Sequence, residues 1–214
     1  MAQVKCFTFN MFAENTYIVY DETKECVIID PGCVNNNEKS RLKKWLESEG
    51  LRPMRLLNTH CHLDHVFGNA FVAETYNLGL EIHEGELPVL ARFELSAQNY
   101  GIAGVDASPA PSAFFNLEAP IKFGNTTLEI RFVPGHSPAS VCFYDAQSRF
   151  VIAGDTLFEG SIGRTDLAGG NHKMLIEAIE NQLFTLPEDV VVYSGHGEPT
   201  SIGRERRSNP FFKH

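Results

Sequence analysis

Apolar and polar positions alternate from the start of the chain. Residues 2–10, 15–21 and 25–30 read as three strands of an antiparallel meander closing at Asp30-Pro31-Gly32. Residues 37–50 change to helical composition, with Leu42, Trp45 and Leu46 on one buried face and a stop at Gly50. The apolar patch from Arg52 to Asn58 predicts a strand, residues 65–78 a second helix, and 79–83 another strand after Gly79. Residues 84–120 break the rhythm, because Pro88, Pro109, Pro111 and Pro120 punctuate aromatic and small residues. This stretch predicts a short helix and an irregular excursion, a lid or insertion near the pocket. Two strands at 121–133, strands near 140–145 and 149–154, a helix at 171–184 and a last strand at 189–193 complete the pattern. No short-period repeat or low-complexity linker interrupts it, so a single domain over 1–214 is expected.

At 214 residues the chain can bury a substantial core, and its 43% hydrophobic content is ordinary for a globular protein. Eighteen basic against 27 acidic residues leave a net charge of −9, which argues against general binding to nucleic acid or anionic membranes. The alternating start does not resemble a signal peptide, and no run of about 18 apolar residues is present to span a bilayer. The five cysteines (6, 26, 33, 61, 142) form no CxxC pair, and an odd number cannot all pair within one chain. Reduced thiols in a cytoplasmic setting are the expectation.

Residues 59 to 65 read Thr-His-Cys-His-Leu-Asp-His, directly after a hydrophobic segment. His60 and His62 alternate as on an extended chain, whereas Asp64 and His65 begin a helical pattern. One loop thereby directs side chains toward two neighbouring points. Imidazole nitrogen with carboxylate oxygen suits zinc, iron or manganese, while calcium and magnesium favour all-oxygen sites. Four apolar segments then end alike: Arg55 to His60, Leu128 to His136, Phe150 to Asp155 and Val190 to His196. Strand ends lie along a sheet edge, so these residues can converge although distant in sequence. Gly135, Gly154 and Gly195 precede three of them, where tight turns or close backbone approach favour glycine. Asp30 either orients a histidine or only shapes the turn before Pro31.

These residues resemble the metallo-β-lactamase superfamily signature, HxHxDH followed by separated His, Asp and His. More closely, the chain is similar to the small glyoxalase II-like (hydroxyacylglutathione hydrolase-like) hydrolases of bacteria. That similarity rests on Gly160-Ser-Ile-Gly-Arg-Thr-Asp166 and on the ending from Gly195 through Phe211. The resemblance implies an α/β (α+β) fold, a four-layer αβ/βα sandwich with the site at one edge of two facing sheets. It implies two divalent metal ions, zinc before iron or manganese. His60, His62 and His136 would hold the first, Asp64, His65 and His196 the second, and Asp155 would bridge them. Secreted class B lactamases commonly place cysteine where Asp155 stands and lack the histidine matching His65, so a lactamase is not expected.

Two such cations can share a water and lower its pKa toward neutrality, with Asp64 orienting the nucleophile and the metals stabilising the oxyanion. Thiols with pKa values of about 8–9 leave as thiolates without a strong general acid. No GxSxG elbow or P-loop competes. The expected activity is hydrolysis of S-acylglutathione or a related small-molecule thioester, with Asp64 and Asp155 as catalytic carboxylates. Only 18 residues follow His196, too few for the helical domain with which larger glyoxalase II enzymes hold glutathione. Recognition is therefore expected from Arg164, the 84–120 excursion, or Arg204, Arg206 and Arg207. Arg164 either reaches a substrate carboxylate or pairs with Asp166.

The rival readings are a persulfide dioxygenase holding one iron on His60, His136 and Asp155, a nucleic-acid phosphodiesterase, and a non-catalytic metal module. The acidic balance disfavours the second. The third is disfavoured because structural zinc sites usually close with four ligands. His83, His172 and His214 are expected outside the ligand set, and Cys61 is expected to be a small buried filler.

Overall fold

The computed structural model describes residues 1–213, so the expectation for His214 lies outside the described residues. The N-terminal meander is present as β1 (Gln3–Phe9), β2 (Glu14–Tyr20) and β3 (Glu25–Ile29), paired antiparallel. Helix α1 (Asn36–Glu49) starts on a capping box, in which Asn35 accepts from the Asn37 and Glu38 amides and Glu38 reaches back to the cap. It ends at Gly50, whose φ of 64° is the left-handed stop that glycine adopts freely. Strand β4 (Arg52–Leu57) then joins β3 in parallel.

The single helix expected over 65–78 is two, α2 (Leu63–Val66) and α3 (Asn69–Tyr76). The break falls at Gly68, whose amide donates to the Pro31 carbonyl at 2.6 Å. A Cβ there would lie 2.6 Å from Cys33 Sγ and 2.7 Å from that carbonyl, so only glycine lets the chain approach so closely. Strand β5 (Leu80–Ile82) follows α3. The 84–120 stretch is more regular than expected: a 3-10 turn at Glu84–Glu86, helices α4 (Leu87–Leu90) and α5 (Phe93–Asn99), and strand β6 (Pro111–Phe114). β6 pairs in parallel with β5 at the sheet edge, with Pro111 as its first residue, a position that tolerates a missing N–H.

The C-terminal half contains β7 (Ile121–Phe123), β8 (Thr126–Phe132), β9 (Val141–Asp145) and β10 (Phe150–Gly154). A small hairpin of β11 (Leu157–Phe158) and β12 (Ser161–Ile162) leads to α6 (His172–Ala178), which continues as a π-helical turn at Ile179–Leu183. Strands β13 (Val191–Ser194) and β14 (Thr200–Ser201) precede α7 (Ile202–Ser208). The hairpin, β14 and α7 carry too few periodic residues to be read from the sequence.

Two six-stranded sheets result, in the orders β1-β2-β3-β4-β5-β6 and β14-β13-β10-β9-β8-β7. Strand alternation sorts their side chains into three apolar layers. Val19, Val27, Ile29 and Leu57 of the first sheet meet Val141, Phe143 and Ile152 of the second. Their neighbours Ile18, Ile28 and Leu56 point the other way, onto Leu42 and Leu46 of α1 and Val72 of α3. Val151, Ala153 and Val192 pack outward onto Leu175 and the turn residues Ile179 and Leu183. Helices, sheet, sheet and helices form the four-layer sandwich that the family resemblance implies. Strands buried on both faces explain the near-continuous apolar runs in the sequence. Because β9 is antiparallel to both β8 and β10, while β10 is parallel to β13, strands β8, β10 and β13 all end on one edge. Among the described residues, no helix is long and apolar enough to cross a membrane.

Candidate metal centre

All seven residues expected as ligands meet at that edge. His60, His62 and His136 bring ring nitrogens within 4.8 Å of one another, and Asp64, His65 and His196 form a second cluster by the same measure. Asp155 touches both, with Oδ2 3.5 Å from His136 Nε2 and 3.5 Å from His196 Nε2, and Oδ1 3.4 Å from His65 Nε2. Two neighbouring points of convergence arise because His60 and His62 lie on the extended run after β4, while Asp64 and His65 lie on α2. Gly154 adopts φ of 51° just before Asp155, and a Cβ there would meet Thr59 Oγ1 at 2.4 Å. Gly195 likewise leaves room for Asp155 Oδ1, which a Cβ would approach to 2.1 Å.

Four of the five histidines are held from behind. His60 Nδ1 lies 3.1 Å from Thr59 Oγ1, which itself donates to Asp30 Oδ2 at 2.5 Å, so the ring proton sits on Nδ1. His65 Nδ1 donates to Asp30 Oδ2 at 3.1 Å, His136 Nδ1 to the Arg164 carbonyl at 2.8 Å, and His196 Nδ1 to the Phe12 carbonyl at 3.0 Å. Each arrangement leaves the Nε2 lone pair aimed inward, the way a protein fixes the tautomer of a metal-binding imidazole. His62 turns Nδ1 inward instead, 2.8 Å from His136 Nε2. Asp30 thus both orients histidines and shapes its turn, with φ of 50°. By the same 4.8 Å measure Asp30 also falls beside His60 and His65. Its oxygens already accept from the Thr59 amide at 2.7 Å, the Thr59 hydroxyl and His65 Nδ1, so it supports the centre from behind.

The inward-facing atoms pass a direct test of fit for divalent cations. His60 Nε2, His65 Nε2 and Asp155 Oδ1 are buried without a hydrogen-bond partner among the described residues. Buried polar atoms are almost always paired. Several lone pairs left open toward shared points are what cations satisfy, and nitrogen with carboxylate oxygen suits zinc, iron or manganese. Burial lowers His65 and His196, but the Asp64 and Asp155 carboxylates outweigh it and hold both above the usual histidine range, so a cation there must displace a proton. His60, His62, Asp64 and Asp155 already favour neutral imidazole or ionised carboxylate. Burial first, then the neighbouring imidazoles, holds His60 well below the usual histidine range, and burial with His136 pushes His62 down to about 3. For Asp155, burial opposes ionisation, but His65, His136 and His196 outweigh it and keep the carboxyl well below its ordinary value. Asp64 is lowered in the same way, with burial overcome by His65 and His196.

A cavity of about 680 Å³ opens over the centre. One wall is the excursion, through Pro88 and Val89 of α4, Arg92 and the helix α5. Pro138, Arg164, Leu167, Phe12 and Phe158 also line the space. The 84–120 stretch therefore borders the pocket. Arg164 lines it, but its guanidinium makes paired hydrogen bonds to Asp166 at 2.8 and 2.7 Å. Arg204 pairs with Glu159, and Arg206 and Arg207 pair with Glu188. His83 accepts from the Gly85 amide and stacks on Phe132, apart from the metal centre, and His172 is exposed at the start of α6. Cys61 is buried in the core under the first sheet, and its backbone amide rather than its thiol does structural work.

Two carboxylates escaped the sequence reading. Glu86 is fully buried and accepts from the Cys61 amide at 2.9 Å, the Ser137 hydroxyl at 2.7 Å and the Ala139 amide at 2.8 Å. Glu14 is fully buried behind His65, and burial pushes its carboxyl well above the usual range. Neither lies in a motif; Glu14 accepts locally from Thr16, but His65 beside it and the partners of Glu86 come from distant segments.

A family model described as the metallo-beta-lactamase superfamily matches residues 10–196. A relative described as hydroxyacylglutathione hydrolase GloC, from Haemophilus influenzae, is 37% identical over 204 residues, or 94% of this chain and 93% of the relative. The solved structure of BLEG-1, described as a B3 metallo-beta-lactamase, superposes with a TM-score of 0.90 at 34% identity, covering 99% of this chain and 100% of that one. The structure of TTHA1623 in a di-iron-bound form gives 0.85 at 34% identity, covering 97% of this chain and 100% of its own.

Proposed function

The chain belongs to the metallo-beta-lactamase superfamily, and from that premise we propose that it is a two-metal hydrolase of S-acylglutathione or a related thioester. The observation that carries this reading is the pair of three-residue clusters with Asp155 between them. When bound, two divalent ions supply a water nucleophile at neutral pH and polarise the carbonyl under attack. His60, His62 and His136 would hold one, Asp64, His65 and His196 the other, with Asp155 between. Zinc is the first expectation, and the di-iron form of TTHA1623 keeps iron as the alternative.

The chain's own residues then orient and move protons. Asp64, ionised and on the cavity wall, is placed to accept the proton of an attacking water. Residues of α4 and α5 line the cavity in which the carbonyl would sit. A departing thiol needs no acid from the protein, because a thiol pKa of about 8–9 lets it leave as thiolate. The relative named hydroxyacylglutathione hydrolase supports glutathione as that thiol. All five cysteines are free, which supports work in a reducing compartment such as the cytoplasm.

The likeness to a protein described as a B3 metallo-beta-lactamase favours β-lactam hydrolysis as a second reading, against the expectation drawn from Asp155 and His65. A single experiment separates the readings: metal quantification with turnover assays on a thioester panel, a cephalosporin and glutathione persulfide. Two divalent ions per chain, thioester turnover lost to a chelator and restored by zinc, is the expected outcome. Faster cephalosporin turnover would favour the lactamase reading. One iron per chain with oxygen uptake on the persulfide would overturn the hydrolase reading.

A further inference from the structure

Arginines elsewhere in this chain are committed. Of ten in the sequence, eight pair with carboxylates, Arg52 with Glu25 and Arg149 with Asp189 among them. Arg41 lies over the ring faces of Phe7 and Phe9. Arg92 alone has neither kind of partner among the described residues. Arg92 is solvent-exposed, so its guanidinium stays hydrated and accessible to a ligand without a partner in the chain. Arg92 sits just before α5, on the wall of the cavity that contains Asp64, Asp155 and the histidines.

Ser96 and Asn99 follow Arg92 by four and seven residues, which places all three on one face of the helix. They line the same cavity, and neither side chain hydrogen-bonds elsewhere among the described residues. A fork of charged donors, a hydroxyl and a carboxamide in a row complement a carboxylate followed by amides. Ligand pockets are typically apolar with a few such convergent polar groups, and Phe12, Leu95 and Phe158 supply the apolar part here. Arg164, the other cation on the wall, is occupied by Asp166.

We propose that Arg92 binds a carboxylate on the thiol half of the substrate, with Ser96 and Asn99 bonding the adjoining amides. The substrate class is then a thioester of a carboxylate-bearing peptidyl thiol. This inference rests on the thioesterase reading. Arg92 determines specificity and takes no part in bond breaking.

The test compares two thioesters of one acyl group, one on glutathione and one on uncharged N-acetylcysteamine. Arg92→Ala should lower kcat/KM for the glutathione thioester about tenfold or more, through KM, as expected for a lost charged hydrogen bond. The uncharged thioester should be unaffected, and Arg92→Lys should recover part of the loss. Equal effects on both thioesters, or a larger loss from Arg164→Ala, would overturn the assignment. Calorimetric binding of S-methylglutathione, which cannot be hydrolysed, separates this inference from the activity. If no thioester turns over but Arg92→Ala still weakens that binding, the hydrolase reading falls and the role of Arg92 stands. Binding that is absent in the wild type, or equal in the variant, would sink the role of Arg92.

Discussion

Asp30 shows how much one residue contributes to the centre without entering it. Its carboxylate gathers the Thr59 amide, the Thr59 hydroxyl and His65 Nδ1, and through Thr59 it also sets the tautomer of His60. Asparagine keeps the shape but offers a single acceptor oxygen and two donors, so it cannot receive all three. Asp30→Asn is expected to weaken metal affinity about 10- to 100-fold, the usual cost of losing such a partner. Competition with a coloured chelator would measure it, and unchanged affinity would show that His65 needs no support from behind. The ligands themselves were legible because histidine and aspartate are chemically distinctive, and the loop at 59–65 concentrates them. Asp30 was half legible: Asp-Pro-Gly announces a turn, but nothing in it reveals which histidine stands behind the carboxylate. Glu14 and Glu86 were illegible, being ordinary glutamates in an acidic chain.

Elements meet at Glu86. The 3-10 turn that starts the excursion delivers this carboxylate between the His60–His65 loop and the His136 loop, tying both to the wall that carries α4 and α5. Glu86→Ala would strand the Cys61 and Ala139 amides in the interior, at about 1–3 kcal/mol for each unsatisfied group. A loss of roughly 3 kcal/mol is expected, read by urea unfolding of metal-loaded protein, together with weaker metal retention. A variant as stable as the parent would mean that water or another group replaces the carboxylate. The pattern predicted the long elements well, because α1 and the central strands have strong periodicity and clear stops. It failed where elements are short. The break at Gly68 depends on a contact with Pro31, and β6 exists because β5 offers it an edge.

At the scale of the whole molecule, burial on both faces of two sheets governs the thiols. Cys26, Cys33 and Cys142 are each pushed up to about 12 by burial. Unfolded thiols ionise near pH 8.5. Between these values the unfolded chain has released protons that the folded chain retains, so stability falls as pH rises. It is fully present below about pH 8.5. Each such thiol contributes a slope of about 1.4 kcal/mol per pH unit in that window. Urea unfolding at pH 8 and pH 10 should show the decline, and Cys26→Ala with Cys142→Ala should flatten it. An unchanged slope in the double variant would show that other groups titrate. The same reasoning predicts that native protein at pH 8 resists thiol alkylation at these positions, whereas unfolded protein labels at all five cysteines.

The sequence by itself determined the apolar rhythm, the sheet-rich class and the identity of the residues at the strand ends, because periodicity and residue chemistry are local properties. Only the tertiary structure decided which nitrogen of each imidazole faces inward and that Arg92 is left free on the cavity wall. Those facts depend on hydrogen bonds and ion pairs between segments up to 184 residues apart, such as His196 with Phe12. Such pairings exist only once the two sheets have packed face to face.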